Sequence, residues 1–157
     1  MTTIGITGHS NIDEPSVTLV REALMSELAG SADHRLTGVT CLGAGADQIF
    51  AEVVLDLGGS LEVVVPSADY FDRISDAAAR ERCDKYLAAA SAIHNMPYAT
   101  AGSAAYLAAS KDLVDRCDQL IAVWDGSLDS GTGQAVAYAR QENRDVRVLW
   151  PENARRA

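Results

Sequence analysis

The residues best suited to chemistry lie in the run Asp125-Gly126-Ser127-Leu128-Asp129-Ser130-Gly131-Thr132-Gly133. The run follows an apolar stretch and precedes a helical pattern, so its end is predicted to form the first turn of a helix. Free N–H groups at a helix start bind phosphate, and Gly131 and Gly133 permit close backbone approach to such an anion. The hydroxyls of Ser130 and Thr132 can donate hydrogen bonds to its oxygens. The alternative is a plain loop in which Thr132 caps the helix, but two glycines with two hydroxyls exceed what a cap needs and favour an anion site.

Asp125 and Gly126 open the same loop, directly after the apolar run. A carboxylate at the end of a strand can accept a hydrogen bond from a ribose hydroxyl of a bound nucleotide. Asp-Gly is equally a favoured turn pair, in which Asp125 would form an Asx turn. Both roles stay open at this stage, and the two residues are candidates for ligand contact.

A second run, Gly43-Ala44-Gly45-Ala46-Asp47, has the same strand-to-helix setting. Gly43 and Gly45 match the first glycines of a dinucleotide fingerprint, but Gln48 holds the third position and no acidic residue ends the following apolar run. A standard NAD site is therefore not expected, although Gly43, Ala44 and Gly45 remain candidates for phosphate contact. Asp47 is either a first-turn acid favoured by the helix dipole or an acceptor that binds ribose or organises the neighbouring loop.

The loop after the first apolar run, Thr7-Gly8-His9-Ser10-Asn11, adds Gly8, His9 and Ser10 to the candidates. A lone histidine is more often structural than catalytic, so His9 has either a structural role or a contact with the ligand. The sequence contains no P-loop, no G-x-S-x-G nucleophile motif and no cluster of metal-type ligands. It therefore predicts no metal site and identifies no catalytic residue.

Alternating apolar runs and amphipathic stretches determine where these three loops lie. The strand-like runs are 4–7, 36–42, 61–65, 119–124 and 146–150, and the helical patterns between them include an alanine-rich stretch at 69–109. This pattern predicts an α/β, Rossmann-like, doubly wound three-layer sandwich with a mostly parallel five-stranded sheet in the order 3-2-1-4-5. Ligands bind such sheets outside the carboxyl ends of the strands where the order reverses, which is where the three loops would meet. We expect one domain, 1–150, with a short tail at 151–157.

Charge limits the partners that we expect. The 157 residues include 13 Lys and Arg against 22 Asp and Glu, a net charge of -9, and no basic run occurs before Arg155-Arg156. This balance predicts no nucleic-acid partner and no membrane partner, and it favours a small phosphorylated ligand held by backbone N–H groups with help from an arginine such as Arg73, Arg80 or Arg82. No apolar stretch reaches the roughly 20 residues of a membrane span, and the first residues have no signal-peptide pattern, so we expect a soluble cytoplasmic protein.

Together these segments resemble the SLOG superfamily, which includes the Lonely Guy phosphoribohydrolases and the core of DNA-processing protein A. The resemblance rests on four segments: Ile4–His9, Gly43–Asp47, Asp115–Gly126 and Ser130–Gly133. It implies a Rossmann-like domain that binds nucleotides or nucleotide-derived ligands, often as a homodimer or higher homo-oligomer. It also implies phosphate-binding elements at Gly43–Asp47 and Ser130–Gly133, with a first-strand loop at Gly8–Ser10.

The chain departs from the Lonely Guy enzymes where their catalysis is concentrated. Aligning Gly131-Thr132 with their Gly-Gly-x-Gly-Thr-x-x-Glu motif places Ala135 at the glutamate position, and the upstream Met-His-x-Arg-Lys pattern is absent. The leading hypothesis is therefore a small sensor or binding protein for a nucleotide or nucleotide derivative, with no other cofactor identified. The alternatives are a nucleotide N-glycosidase or phosphoribohydrolase that uses an unusual acid such as Asp47 or Asp125, and a carrier of the molybdenum cofactor, a pterin phosphate.

Overall fold

A computed structural model of the chain describes residues 2–31 and 35–157. The strands are β1 Thr2–Gly8, β2 Leu36–Thr40, β3 Ser60–Val65, β4 Ala92–Asn95, β5 Gln119–Val123 and β6 Asp145–Leu149. The helices are α1 Glu14–Ala29, α2 Ala46–Asp56, α3 Ala77–Ala89, α4 Ser103–Arg116 and α5 Gly131–Gln141, with a 3₁₀ turn at Phe71–Arg73. Over these ranges no helix combines the length and the apolar character that a membrane crossing requires.

All six strands pair in parallel, in the order β4-β3-β2-β1-β5-β6. The Rossmann-like class is confirmed, and the five expected strands have the predicted order, now written β3-β2-β1-β5-β6. The count of five is wrong, because β4 adds an edge strand beyond β3. This strand has four residues inside an alanine-rich segment, and Ile93 is 47 % exposed, so no buried apolar run marked it.

Side chains alternate between the two faces of the sheet and build a core on each side. Ile4 and Ile6 pack with the core of α1 and α2, whereas Leu120 belongs to the core under α4. Gly5 faces α4, and a Cβ atom there would lie 2.7 Å from Leu113 Cδ2. The missing side chain thus lets α4 approach β1 closely.

The strand order reverses between β1 and β5, where Gly8 lies opposite Val123. Beyond this pair the chain leaves β1 for α1 on one face and leaves β5 for α5 on the other. The diverging connections leave a cleft at the carboxyl ends of the two strands, as expected at a topological switch point.

Candidate functional site at the carboxyl edge of the sheet

The cleft at this switch point has a volume of about 370 Å³. Its walls come from the end of β1 and the following loop, one side of α4, and the start of α5. The polar lining residues include Thr7, Asn11, Ser110 and Gln134, and the apolar and aromatic ones include Ile6, Tyr70, Tyr106, Leu107 and Leu113. The volume falls within the roughly 300–1,000 Å³ of small-molecule sites.

The structure brings part of the predicted site to this cleft and leaves part outside it. The candidates that line the cleft are Gly8, His9, Ser10, Asp47, Ser130, Gly131 and Thr132. Those that do not line it are Gly43, Ala44, Gly45, Asp125, Gly126 and Gly133. Ala44 and Gly45 instead line a second groove, about 660 Å³ in volume, formed by residues of α1, α2 and α3. The two glycine loops therefore do not open onto one common space.

The start of α5 has the features of an anion site. Ser130 is the N-cap: its Oγ accepts from the Gly133 N–H at 3.0 Å and donates to the Ser127 carbonyl at 3.0 Å. Within the described part of the chain, neither the Gly131 N–H nor the Thr132 N–H has a protein acceptor. The Ser130 hydroxyl is thus occupied in the cap, and the two free N–H groups are the donors available to an anion.

His9 and Asp125 form a pair beside the cleft. The Nε2 atom of His9 lies 3.0 Å from Asp125 Oδ1 and 3.2 Å from the Asp125 backbone nitrogen, and the ring meets Trp150 edge-on at 5.6 Å. Burial lowers the pKa of His9, and hydrogen bonds from Ser127 hold the pKa of Asp125 well below its usual range. A neutral His9 therefore contacts an ionised Asp125. In one tautomer Nε2–H donates to Asp125 Oδ1, and in the other Nε2 accepts from the Asp125 N–H.

Asp47 is the one carboxylic acid among the described residues that line the cleft. Its Oδ2 accepts from the Gly43 N–H at 3.1 Å, and burial raises the pKa of Asp47 to about 7. Because of this pKa, Asp47 is half protonated near neutral pH, which is the state that general acid–base chemistry requires. In residues 2–31 and 35–157, no three His, Cys, Asp or Glu side chains are grouped to hold a metal ion.

Replacing Asp47 with Asn is expected to remove a pH dependence of stability. The folded pKa of about 7 exceeds the ordinary 3.8, so the stabilising contribution of protonated Asp47 is present below about pH 4 and is lost as the pH rises through 7. Between about pH 5 and pH 7 the free energy of unfolding of the wild type should therefore fall by on the order of 2 kcal/mol relative to that of Asp47→Asn. Urea unfolding across this range measures the difference, and parallel curves for the two proteins contradict the assignment.

The sequence did not indicate which cation lies at the cleft. None of the three arginines expected there lines it: Arg73 pairs with Asp69, Arg82 donates to Gln48 in the second groove, and Arg80 makes no contact with the cleft. Arg156 lines the cleft instead. The sequence shows Arg155 and Arg156 only as a basic pair, and such a pair does not indicate which residues it contacts. The position of Arg156 depends on how its segment folds back onto the loop after β1.

No protein-family model and no curated protein matches the sequence. Solved structures do match it. The chain is similar to DNA processing protein A from Streptococcus pneumoniae, at a TM-score of 0.71 and 18 % identity over 94 % of this chain and 50 % of that one. It is also similar to DNA processing protein A from Helicobacter pylori, at 0.70 and 18 % over 96 % of this chain and 66 % of that one. A molybdenum cofactor carrier protein from Chlamydomonas reinhardtii matches at 0.63 and 20 %, over 96 % and 79 %.

The chain shares the Rossmannoid fold of these proteins, as the resemblance to the SLOG superfamily implies. The chain spans 50 % and 66 % of the lengths of the two DNA processing proteins. The prediction that it has no nucleic-acid partner is wrong, because the Helicobacter pylori protein that shares this fold has a single-stranded DNA binding mode. Net charge sums the whole surface, whereas phosphate contacts depend on local N–H groups and individual arginines.

Proposed function

We propose that this SLOG-type domain binds a nucleotide or nucleotide-derived ligand in the cleft, with a phosphate at the start of α5. The observation that carries the proposal is the pair of N–H groups on Gly131 and Thr132, which have no acceptor in the described residues and belong to residues lining the cleft. Such groups at the positive end of a helix dipole favour an anion without any side-chain charge. The acidic composition of the chain is therefore compatible with this site.

The remainder of the cleft suits a nucleoside. Tyr106 and Leu107 are 43 % and 37 % exposed, and both line the wall formed by α4. An exposed aromatic ring provides a stacking surface for a base, and the Ser10 side chain provides a polar group for a sugar. A nucleoside with one phosphate would use the aromatic, polar and helix-start parts of the cleft together.

A second candidate function, hydrolysis of the bond between base and sugar, is favoured by Asp47. Ala135 lines the cleft but has no acidic group, so the glutamate of the Lonely Guy enzymes has no counterpart at that position. Asp47 is partly protonated near neutral pH and could donate a proton to a departing base. Asp125 suits this role less well, because its lowered pKa keeps it ionised.

Thermal unfolding in the presence of candidate ligands tests the proposed function. The ligands are the four ribonucleoside 5′-monophosphates, the matching nucleosides, ADP-ribose, a pterin phosphate and a single-stranded oligonucleotide. A ligand present at 100 times its Kd stabilises the folded chain by about 2.7 kcal/mol, so binding raises the melting temperature by several degrees. We expect at least one monophosphate to produce this rise and its nucleoside to produce a much smaller one.

The other ligands distinguish the alternatives. A rise with the pterin phosphate alone supports a carrier, an interpretation that the similarity to the Chlamydomonas protein motivates. A rise with the oligonucleotide alone replaces the mononucleotide proposal with single-stranded DNA binding, and no rise with any phosphorylated compound contradicts the phosphate site. Chromatography of the incubated nucleotides then detects free base, which the wild type releases and Asp47→Asn does not if the second candidate function is correct.

A further inference from the structure

The last residues of the chain are fixed against the loop between β1 and α1. Arg156 forms an antiparallel bridge with Ile12, and the Ala157 N–H donates to the Asn11 carbonyl at 2.7 Å. The Asp13 N–H donates to the Arg155 carbonyl at 3.0 Å, while the Arg155 N–H donates to Ser16 Oγ at 2.7 Å. These backbone contacts hold the segment Arg155–Ala157 in one position beside the cleft.

The Arg156 side chain is directed by two neighbours. Its Nε donates to Asn11 Oδ1 at 3.0 Å, and its Nη1 lies 3.6 Å from Asp125 Oδ2. The side chain is 37 % exposed and lines the cleft, where it is the one Lys or Arg among the described lining residues. A chain of net charge -9 thus places a single cation at this site.

The contact with Asp125 leaves the guanidinium available for a second anion. A separation of 3.6 Å is too long for a hydrogen bond, and the ionised Asp125 already accepts from the Ser127 N–H at 3.0 Å. An arginine has five N–H donors, of which one donates to Asn11 here. The planar fork that remains matches the geometry of phosphate and carboxylate oxygens.

We propose that Arg156 is a ligand-binding residue whose guanidinium contacts the anionic group of the ligand in the cleft that the free N–H groups of α5 also line. This inference rests on the proposed function and adds to it the side chain that recognises the phosphate. Asn11 and Asp125 are positioning residues, which hold the guanidinium at the cleft before the ligand arrives. Arg156 is accordingly the one residue of the segment Arg155–Ala157 that belongs to the binding site.

A matched pair of variants tests the role of Arg156. Arg156→Gln and Arg155→Gln remove the same charge from adjacent positions, and only the first residue lines the cleft. Calorimetric titration of each protein with the four ribonucleoside 5′-monophosphates and their nucleosides measures the effect. We expect Arg156→Gln to weaken monophosphate binding about tenfold or more and to leave nucleoside binding unchanged, because charge-assisted hydrogen bonds are lost. Arg155→Gln should stay within about twofold of the wild type, since its charge is outside the cleft.

The outcomes separate this inference from the function on which it rests. Equal monophosphate affinity in wild type and Arg156→Gln overturns the role of Arg156 while the nucleotide site stands, and so does an equal loss in both variants. A wild type that binds no phosphorylated compound overturns the proposed function and this inference together. Melting temperatures verify that the variants fold. If Arg156→Gln does not fold, Arg156→Lys replaces it, because lysine keeps the charge but lacks the planar fork of donors. Arg156→Lys should bind monophosphate more weakly than the wild type, and undiminished binding overturns the proposal.

Discussion

Gly45→Ala is expected to lower the free energy of unfolding by about 3 kcal/mol, and the cause is geometric. Gly45 has a φ of +79° and a ψ of −126°, a conformation that few residues other than glycine adopt and that costs a residue with a side chain roughly 1–3 kcal/mol. A Cβ atom there would also lie 2.6 Å from the His9 carbonyl oxygen and 2.7 Å from that of Ser10. These are backbone atoms, so relieving the clash requires the loop after β1 to shift, at a cost typical of overpacking.

Gly58→Ala is the matched control for this change. Gly58 has nearly the same φ, +77°, but a Cβ atom there would have no neighbour within 4 Å. Its loss should therefore be about 1 kcal/mol, the cost of a positive φ without a steric clash. Urea unfolding followed by tryptophan fluorescence gives both values, and equal losses in the two variants would show that Gly45 does not support the first loop.

The order of the sheet could be predicted because it follows from local patterns and general rules of connection. Apolar runs separated by helical patterns indicate parallel strands, and short crossovers then restrict the order. The sequence did not predict the edge strand β4, because this strand pairs with β3 alone and its residues alternate between half-buried and exposed. A strand of this kind is specified by its neighbour more than by its own sequence.

Gln48 shows why the loop after β2 could not be interpreted from its motif. The fingerprint treats this position as a missing glycine, but the buried side chain donates from Nε2 to the Leu42 carbonyl at 3.2 Å and to the Ala79 carbonyl at 3.1 Å. Leu42 has a φ of +58°, and Gln48 thereby secures a turn that a non-glycine residue rarely adopts. The Ala79 partner is 31 residues away on α3, so no local pattern reports this contact.

The same long-range packing decides which glycine loop opens onto the cleft. Both loops follow a strand and start a helix, and by local pattern they are equivalent. The loop before α2 is drawn toward α3 through Gln48, so that Ala44 and Gly45 line the groove on that face. The start of α5 and Arg156 face the cleft instead, and the charge of the whole chain contains no information about this local arrangement.

The start of α5 permits a test in which stability and ligand binding change in opposite directions. Gly131→Asp adds a carboxylate where a Cβ atom would have no neighbour within 4 Å, so the side chain fits without a clash. An acidic residue in the first turn interacts favourably with the helix dipole, and replacing glycine reduces the entropy of the unfolded chain. We therefore expect the free energy of unfolding to stay equal or rise by about 0.5–1 kcal/mol.

Ligand binding should respond in the other direction, because the new carboxylate takes the place of the phosphate at the Gly131 and Thr132 N–H groups. Two like charges about 4 Å apart repel by roughly 4 kcal/mol in partly exposed surroundings, so monophosphate affinity should fall at least tenfold. Gly102→Asp is the control. Gly102 is the N-cap of α4, a Cβ atom added there would have no neighbour within 4 Å, and the residue does not line the cleft. The same charge at this position should therefore leave monophosphate affinity unchanged. A Gly131→Asp protein that is as stable as the wild type and binds monophosphate equally well would place the phosphate elsewhere, because a helix start already occupied by a carboxylate cannot also hold a second anion.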